Sequence, residues 1–194
     1  MAMERIEALS LISQQFLEDP VVFTCGATCR EMVASGRREN HLYVVDSMGL
    51  VSPIVLGLSL GLEEEVGRRV VGVEGDGAML TNLNSLATIG FLQPKNLLLI
   101  VLDNQRYGST GGQYTFTTRL ELASIARECG LRTWMADDLE SFKQSLEEAS
   151  ALPGPNFIRM KIAPGNAEVP LLLDDPVTLS YRFTRWLSEN TAAH

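Results

Sequence analysis

Cysteine is scarce in this sequence, and its three cysteines, Cys25, Cys29 and Cys129, are irregularly spaced. An odd count at such spacing does not predict a disulfide framework. A zinc or iron–sulfur site needs about four clustered ligands, and Cys25 and Cys29 have no further cysteines close by in the sequence. We therefore expect free thiols that are buried or partly buried.

Histidine is rarer still. The chain has only His41 and His194, and His194 is its last residue. His41 precedes a predicted strand and belongs to no partner motif, so we expect it at the surface. The sequence therefore offers no set of histidines for acid–base chemistry.

Long apolar runs and basic clusters are also missing. The longest apolar run is Leu97–Leu102, far short of the roughly 20 residues of a membrane helix. The first residues do not follow the pattern of a secretory signal peptide. The net charge is −8 without a basic run, which argues against nucleic acid or anionic membrane as a partner. We expect a cytoplasmic protein.

Apolar, β-branched runs alternate along the chain with segments of helical periodicity. The predicted strands are Val21–Thr24, Leu42–Val45, Arg69–Val73, Leu97–Leu102, Arg132–Met135 and Phe157–Ile162. The predicted helices are Ala8–Leu17, Thr28–Ser35, Ser52–Leu62, Leu83–Phe91, Leu120–Cys129, Leu139–Ser150 and Pro176–Glu189. This alternation predicts an α/β fold with a doubly wound, mostly parallel sheet and helices on both faces. The length fits one domain spanning residues 1–194, and the strand order stays open.

Loops that follow strands carry the polar residues of interest, because ligands bind at the carboxyl ends of strands in such sheets. Arg69–Val73 is followed by Glu74-Gly75-Asp76-Gly77-Ala78. The glycines let the backbone approach a ligand closely, and the amides that open the next helix can bind phosphate. Asp76 can offer an oxygen to Mg²⁺. An Asp between two glycines is also commonly a simple turn, so this loop alone leaves both interpretations open.

A second polar loop ends the strand Leu97–Leu102 with Asp103-Asn104. Asn104 follows Asp76 by 104 − 76 = 28 positions, with one helix and one strand between them. Two such loops lie at the same edge of a parallel sheet. A carboxylate and an amide oxygen could therefore reach one Mg²⁺ that also holds phosphates.

The segment from Gly75 to Asn104 resembles the motif that binds thiamine diphosphate (ThDP): Gly-Asp-Gly, a spacer of about 25 residues, and an Asn that ends an apolar strand. The spacer here is 104 − 77 − 1 = 26 residues. The family's usual pair is Asn-Asn, whereas Asp103 precedes Asn104 here, so the metal-binding second position is kept. The resemblance implies ThDP and Mg²⁺ as cofactors. It implies that Gly75, Gly77 and Ala78 lie near the diphosphate, and that Asp76, Asn104 and the backbone carbonyl of Arg106 bind the metal.

Two further segments resemble sulfopyruvate and phosphonopyruvate decarboxylases. These segments are Asn104-Gln105-Arg106-Tyr107-Gly108-Ser109-Thr110-Gly111-Gly112-Gln113 and Cys25-Gly26-Ala27-Thr28-Cys29-Arg30-Glu31. The second matches a family segment Thr-Gly-x-Thr-Ser-Arg-Glu with cysteine at two hydroxyl positions, and it implies contacts of Gly26, Ala27 and Thr28 with the cofactor. The implied fold is the ThDP-binding fold. The implied reaction is non-oxidative loss of CO₂ from a 2-oxo acid with an anionic group at C3, such as 3-sulfopyruvate or 3-phosphonopyruvate.

A third loop, Asp46-Ser47-Met48-Gly49, lies between a predicted strand and a helix. In the family, a large apolar residue at the position of Met48 bends the cofactor, and the carbonyl at Asp46 accepts a hydrogen bond from the pyrimidine amine. Ser47 belongs to the same cofactor-binding loop. The alternative is that Met48 packs in the core.

The resemblance also implies a missing part, the pyrimidine-binding domain with its cofactor-activating Glu. No segment of this chain resembles it, so we predict no catalytic side chain here and expect the Glu on a partner, the α subunit, in a hetero-oligomer with at least two copies of each chain. Arg106 and Arg119 are candidates to meet an anionic substrate, with surface roles as the alternative. A carboligase, a 2-oxo acid oxidoreductase and a non-catalytic, ThDP-binding regulatory subunit remain alternative functions.

Overall fold

The structure, a computed structural model, describes residues 3–63 and 67–191. Its centre is a six-stranded sheet in the order β2–β1–β3–β4–β6–β5, in which every neighbouring pair is parallel. The strands are β1 (Val21–Phe23), β2 (His41–Tyr43), β3 (Val70–Gly75), β4 (Leu97–Asp103), β5 (Arg132–Ala136) and β6 (Asn156–Lys161). The predicted doubly wound α/β fold is confirmed.

Helices connect the strands and cover both faces of the sheet. They are α1 (Arg5–Gln15), α2 (Ala27–Ser35), α3 (Val51–Gly61), α4 (Asp76–Thr81), α5 (Ser85–Leu92), α6 (Leu122–Glu128), α7 (Leu139–Ala151) and α8 (Pro176–Asn190), with a short 3₁₀ helix at Phe116–Thr118. The seven predicted helices are present with shifted ends. The short helix α4, which begins within the Gly-Asp-Gly motif, was not among the predicted ranges, because six residues are too few for a periodic pattern.

The core consists of two apolar layers, one on each face of the sheet. Helices α1, α2, α7 and α8 contribute to one layer, and helices α3, α4, α5 and α6 contribute to the other. Strand β4 lies between both layers and every one of its residues is buried. This double burial explains why its sequence is an unbroken apolar run rather than an alternating one.

The order of the strands places a crevice at one end of the sheet. The chain runs from β1 outward to β2 on one side and then crosses to β3 on the other side of β1. The loops that leave β1 and β3 therefore diverge at the carboxyl ends of these strands. Crevices at such reversals are the usual ligand sites of open α/β sheets.

The prediction that His41 lies at the surface is wrong. His41 begins β2, its side chain is buried, and its Nδ1 lies 3.1 Å from the hydroxyl oxygen of Tyr43. Its ring packs edge-on against Phe23. Helix α8 covers β2, and this tertiary contact between distant segments is invisible to a local pattern.

Two further sequence predictions concern cysteines and membrane helices. The three cysteines are free, Cys29 is buried, and Cys25 and Cys129 are half-buried, as predicted. The Cys29 thiol donates to the Phe23 and Val44 carbonyls, and burial raises its pKa. Within residues 3–63 and 67–191, none of the helices has the length and apolar character required to cross a bilayer.

Candidate cofactor site

A cleft with a volume of about 120 Å³ lies at the carboxyl ends of β1, β3 and β4. Most of the residues predicted to bind cofactor or metal line this cleft: Gly26, Ala27, Thr28, Met48, Gly75, Asp76, Gly77, Ala78, Asn104 and Arg106. Asp46 and Ser47 do not line it. The strand reversal and the sequence motifs therefore identify the same place in the molecule.

At two glycines of the cleft, Gly26 and Gly77, the surroundings leave no room for a side chain. Gly26 has a φ of +76°, and a Cβ atom there would lie 2.4 Å from the Ser109 hydroxyl oxygen. Gly77 lies similarly against the Tyr107 ring. A Cβ atom at Gly75 would meet no atom within 4 Å, so that side of the backbone faces open space. An open, glycine-lined wall of this kind lets backbone amides approach a phosphate group.

The Asp76 carboxylate is buried beside a second carboxylate. Its Oδ2 accepts a hydrogen bond from the Thr115 hydroxyl at 2.5 Å, and the Thr117 hydroxyl oxygen lies 3.2 Å from the same atom. The pKa of Asp76 is raised to about 6, mainly by burial and also by the neighbouring Asp103 carboxylate, while the Thr115 hydroxyl acts in the opposite direction. Two neighbouring buried carboxylates form an environment that favours a divalent cation.

Asn104 and the backbone of Arg106 face the same side of the loop after β4. The Arg106 amide donates to Asn104 Oδ1 at 3.0 Å, and Arg106 forms an antiparallel bridge with Tyr114. The flanking bond runs from the Tyr107 amide to the Gln113 carbonyl, at 2.9 Å. In an antiparallel pair the N–H and C=O of one residue point the same way, so the Arg106 carbonyl lies on the side of Asn104.

The two arginines predicted to meet an anionic substrate differ in position. The Arg106 guanidinium donates to the Gly112 carbonyl at 3.0 Å and lies 3.7 Å from the centre of the Tyr114 ring. Both contacts are with residues of the loop that carries Arg106, although the residue also lines the cleft. Arg119 is exposed and is not part of the cleft wall, which favours a surface role for it.

Met48 is 42% exposed and lines the cleft, so the alternative in which it packs in the core is wrong. Its loop is held at the start of α3, where the amide and hydroxyl of Ser52 donate to Glu74 Oε1 at 3.0 and 3.2 Å. The Asn82 side chain also donates to the Gly49 carbonyl at 2.8 Å. The Met48 position is therefore fixed from both β3 and the turn after α4.

Several residues of the cleft were missed by sequence reasoning. Arg5 Nη1 donates to Glu31 Oε1 at 2.7 Å and to Asn166 Oδ1 at 3.0 Å, and Asn166 Nδ2 donates to the Gly108 carbonyl at 2.9 Å. Arg5 and Asn166 both line the cleft, yet they are 161 positions apart. No local signal in the sequence joins residues so distant.

Comparison with known proteins identifies the family of this chain. Residues 26–160 match the family "Thiamine pyrophosphate enzyme, C-terminal TPP binding domain". Sulfopyruvate decarboxylase subunit beta of Methanothermobacter thermautotrophicus is 37% identical over 186 residues, which cover 95% of this chain and 96% of that protein. Phosphonopyruvate decarboxylase of Streptomyces viridochromogenes is 37% identical over 166 residues, which cover 84% of this chain and 41% of that protein.

The fold is shared with a solved structure. Benzoylformate decarboxylase from Polynucleobacter necessarius superposes with a TM-score of 0.68 at 19% identity, covering 86% of this chain and 34% of that one. The chain thus spans about a third of that enzyme and less than half of the phosphonopyruvate decarboxylase. From the family match and the relatives at 37% identity, this chain belongs to the thiamine pyrophosphate enzymes, and residues 26–160 correspond to their C-terminal, cofactor-binding domain.

Proposed function

We propose that this chain, as a single domain, is the ThDP- and Mg²⁺-binding subunit of a 2-oxo acid decarboxylase. The observation that carries the proposal is that Asp76, Asn104 and Arg106 all line one cleft at the strand reversal. A carboxylate, an amide oxygen and a backbone carbonyl, completed by phosphate and water, are ligands that Mg²⁺ accepts. The names of the relatives supply the substrate class, an anionic 3-substituted pyruvate such as 3-sulfopyruvate or 3-phosphonopyruvate.

Each predicted residue has a distinct task in this proposal. Asp76, Asn104 and the Arg106 carbonyl would hold the metal, and Met48 would support the cofactor from the cleft wall. The Asp46 carbonyl and Ser47 serve the pyrimidine side, at the rim rather than on the wall. The backbone amides of the two glycine loops receive the diphosphate; these loops comprise Gly26, Ala27, Thr28, Gly75, Gly77 and Ala78.

The reaction breaks the bond between C1 and C2 of the 2-oxo acid, releases CO₂, and places a proton on C2 to give an aldehyde. Bound ThDP supplies the electron sink for this bond cleavage. The residues of this chain bind and orient the cofactor and neutralise its charge.

The proposed partner is a separate α subunit that carries the pyrimidine-binding domain, with at least two copies of each chain in the complex. Helices α3 and α5 contain no charged residue. Their serines, Ser52, Ser59 and Ser85, are buried, while apolar residues face outward, and Phe91 is 86% exposed. The exposed residues of α3 and α5 are apolar except Thr88, and the apolar ones together with Leu50 form the α3–α5 surface: Leu50, Pro53, Gly57, Leu60, Gly61, Ala87, Phe91 and Leu92. A helix that is apolar on all sides is normally buried, and such a surface therefore favours a protein partner.

The α3–α5 surface adjoins the cofactor cleft. Leu50 lies two residues after Met48, and Asn82, between α4 and α5, binds the loop at Gly49. A subunit that covers the α3–α5 surface would therefore border the cleft as well, where a pyrimidine-binding domain is needed. The words "subunit beta" in the name of the Methanothermobacter relative agree with a second subunit.

The test is co-expression of this chain with a pyrimidine-domain subunit encoded nearby. CO₂ release would be measured with 3-sulfopyruvate, 3-phosphonopyruvate and pyruvate, for the pair and for this chain alone. We expect only the pair of subunits to release CO₂, with preference for an anionic substrate. We also expect Asp76→Ala to abolish Mg²⁺-dependent ThDP binding in calorimetry. Decarboxylation by the isolated chain would contradict the need for a partner. A pair that binds ThDP but decarboxylates none of the three acids would favour a carboligase or a regulatory subunit instead.

A further inference from the structure

Two buried threonines outside every motif of the site hold the carboxylate of Asp76. Thr115 and Thr117 follow Asp76 by 39 and 41 positions and are 2% and 6% exposed. Both hydroxyls contact the same oxygen, Oδ2, at 2.5 and 3.2 Å. The other oxygen of Asp76, Oδ1, receives neither hydroxyl, and the residue lines the cleft.

The same threonines also reach Asp103, the residue at which this chain departs from the family's Asn-Asn pair. The Thr117 hydroxyl donates to Asp103 Oδ1 at 2.8 Å, and the Thr115 and Thr117 hydroxyls lie 2.8 Å apart. Each threonine hydroxyl carries one proton and two lone pairs. The pair therefore forms a polar link between the two carboxylates.

The threonine segment is attached to the loop after β4. The Thr115 amide donates to the Gln105 carbonyl at 3.1 Å, and Gln105 Nε2 donates to the Thr117 carbonyl at 3.2 Å. Phe116, between the threonines, points outward and is exposed. Because Gln105 directly follows Asn104, the threonines and the second predicted metal ligand belong to one bonded unit.

We propose that Thr115 and Thr117 are positioning residues for the metal: they bind Oδ2 of Asp76 and thereby present its Oδ1 to Mg²⁺ in one fixed orientation. This inference rests on the proposed function, because it takes Asp76 as a metal ligand. Groups that orient a ligand typically contribute 10- to 100-fold to metal affinity. The orientation of a ligand matters more for Mg²⁺, which demands near-octahedral geometry, than for Ca²⁺, whose coordination is flexible.

The experiment compares Thr115→Val and Thr117→Val, which keep the side-chain shape and remove the hydroxyl, with Thr115→Ser and Thr117→Ser, which keep it. Thr118→Val is the matched control, because Thr118 is exposed and its hydroxyl donates only to the Thr115 carbonyl. The affinities for Mg²⁺ and for Ca²⁺ would be measured by calorimetry in the presence of ThDP, on the complex with the second subunit. Thermal unfolding would be followed for each variant.

We expect the valine variants to bind Mg²⁺ about 10- to 100-fold more weakly, with a smaller loss for Ca²⁺. The serine variants and Thr118→Val should stay near the wild type. Equal losses for both metals, or wild-type Mg²⁺ affinity in the valine variants, would overturn the inference while leaving the proposed function standing. If a valine variant does not fold, alanine at the same position removes the hydroxyl instead: a larger loss for Mg²⁺ than for Ca²⁺, absent from the serine variant, supports the inference, and equal losses or wild-type Mg²⁺ affinity contradict it. A wild-type complex that binds neither metal with ThDP would contradict the proposed function itself, and the inference with it.

Discussion

The Cα atom of Gly77 lies directly against the ring of Tyr107: a Cβ atom at Gly77 would come within 2.5 Å of Tyr107 Cε1 and 2.6 Å of Cδ1. Gly77 is buried near the start of α4, and Tyr107 belongs to the loop after β4. This contact joins the two loops that carry Asp76 and Asn104. The glycine is therefore needed for the approach of the two loops as well as for access to a phosphate.

Gly77→Ala should destabilise the chain, because the added methyl group must displace the Tyr107 ring. Overpacking of this kind costs about 1–3 kcal/mol, more than alanine gains over glycine in a helix. Chemical denaturation of the isolated chain measures the free energy of unfolding. Gly75→Ala is the matched control, because its Cβ atom would meet no atom within 4 Å. Equal stability of the two variants would show that Tyr107 yields without cost.

Met48→Ala should lower turnover and leave diphosphate binding largely intact. Met48 stands on the cleft wall, away from Asp76 and Asn104 on their own loops. Without the Met48 side chain the cofactor would lose this support, and a misplacement of about 1 Å can cost about 100-fold in rate. The measurement is kcat of the assembled enzyme together with ThDP affinity, with Met48→Leu as the control that keeps an apolar side chain. Full turnover in Met48→Ala would exclude the supporting role.

The burial of His41 predicts a pH dependence of stability. The pKa of His41 is lowered to about 3, mainly by burial and also by the Arg38 guanidinium. In the unfolded chain its pKa is about 6.5. The stabilisation by neutral His41 is therefore complete above pH 6.5 and is lost as the pH falls from 6.5 towards 3. The ionisable side chains that line the cavity at His41 include both charges: Arg37, Arg38, Glu39, Tyr43 and Arg182.

In that range, His41 should contribute a fall in the free energy of unfolding of about 1.4 kcal/mol per pH unit. His41→Phe keeps a ring against Phe23 and removes the titrating group. Urea denaturation between pH 7 and pH 4.5 would be compared for the two proteins. The variant should show the shallower slope, since all carboxylates contribute equally to both. Identical slopes would mean that His41 takes up its proton in the folded state.

The sequence alone predicted the fold and the two main loops of the site for a simple physical reason. Buried parallel strands leave continuous apolar runs, and the residues of interest directly follow such runs at Asp76 and Asn104. Both signals are local, and the βαβ connection places the two loops at one edge of the sheet. The spatial proximity of these two residues therefore follows from the order of residues along the chain.

What could not be predicted depends on contacts between distant segments. His41 is buried because α8 covers β2, and Thr115 reaches Asp76 across 39 positions. Asn166 joins the cleft through Arg5, at the other end of the chain. None of these residues belongs to a motif or a periodic pattern, and their types alone are typical of surface and turn positions.

The α3–α5 surface leads to the last prediction. Phe91→Glu should prevent assembly with the second subunit and leave the isolated chain folded, because the Phe91 side chain is 86% exposed and contributes little to the core. A charge placed within an apolar interface must be desolvated without a partner, which costs far more than it does at the surface. The matched control is Leu173→Glu. Leu173 is 84% exposed, and its neighbour Leu172 packs on the core layer at the opposite face of the sheet.

Size-exclusion chromatography with light scattering, on the two subunits mixed at equal concentrations, would measure assembly. The wild type and Leu173→Glu should form the hetero-oligomer with at least two copies of each chain, whereas Phe91→Glu should elute as separate subunits. ThDP affinity and CO₂ release should fall together in Phe91→Glu, because the cleft then lacks its second wall and the activating Glu. If Phe91→Glu assembled and decarboxylated like the wild type, the partner would have to lie elsewhere, and the apolar faces of α3 and α5 would need another explanation.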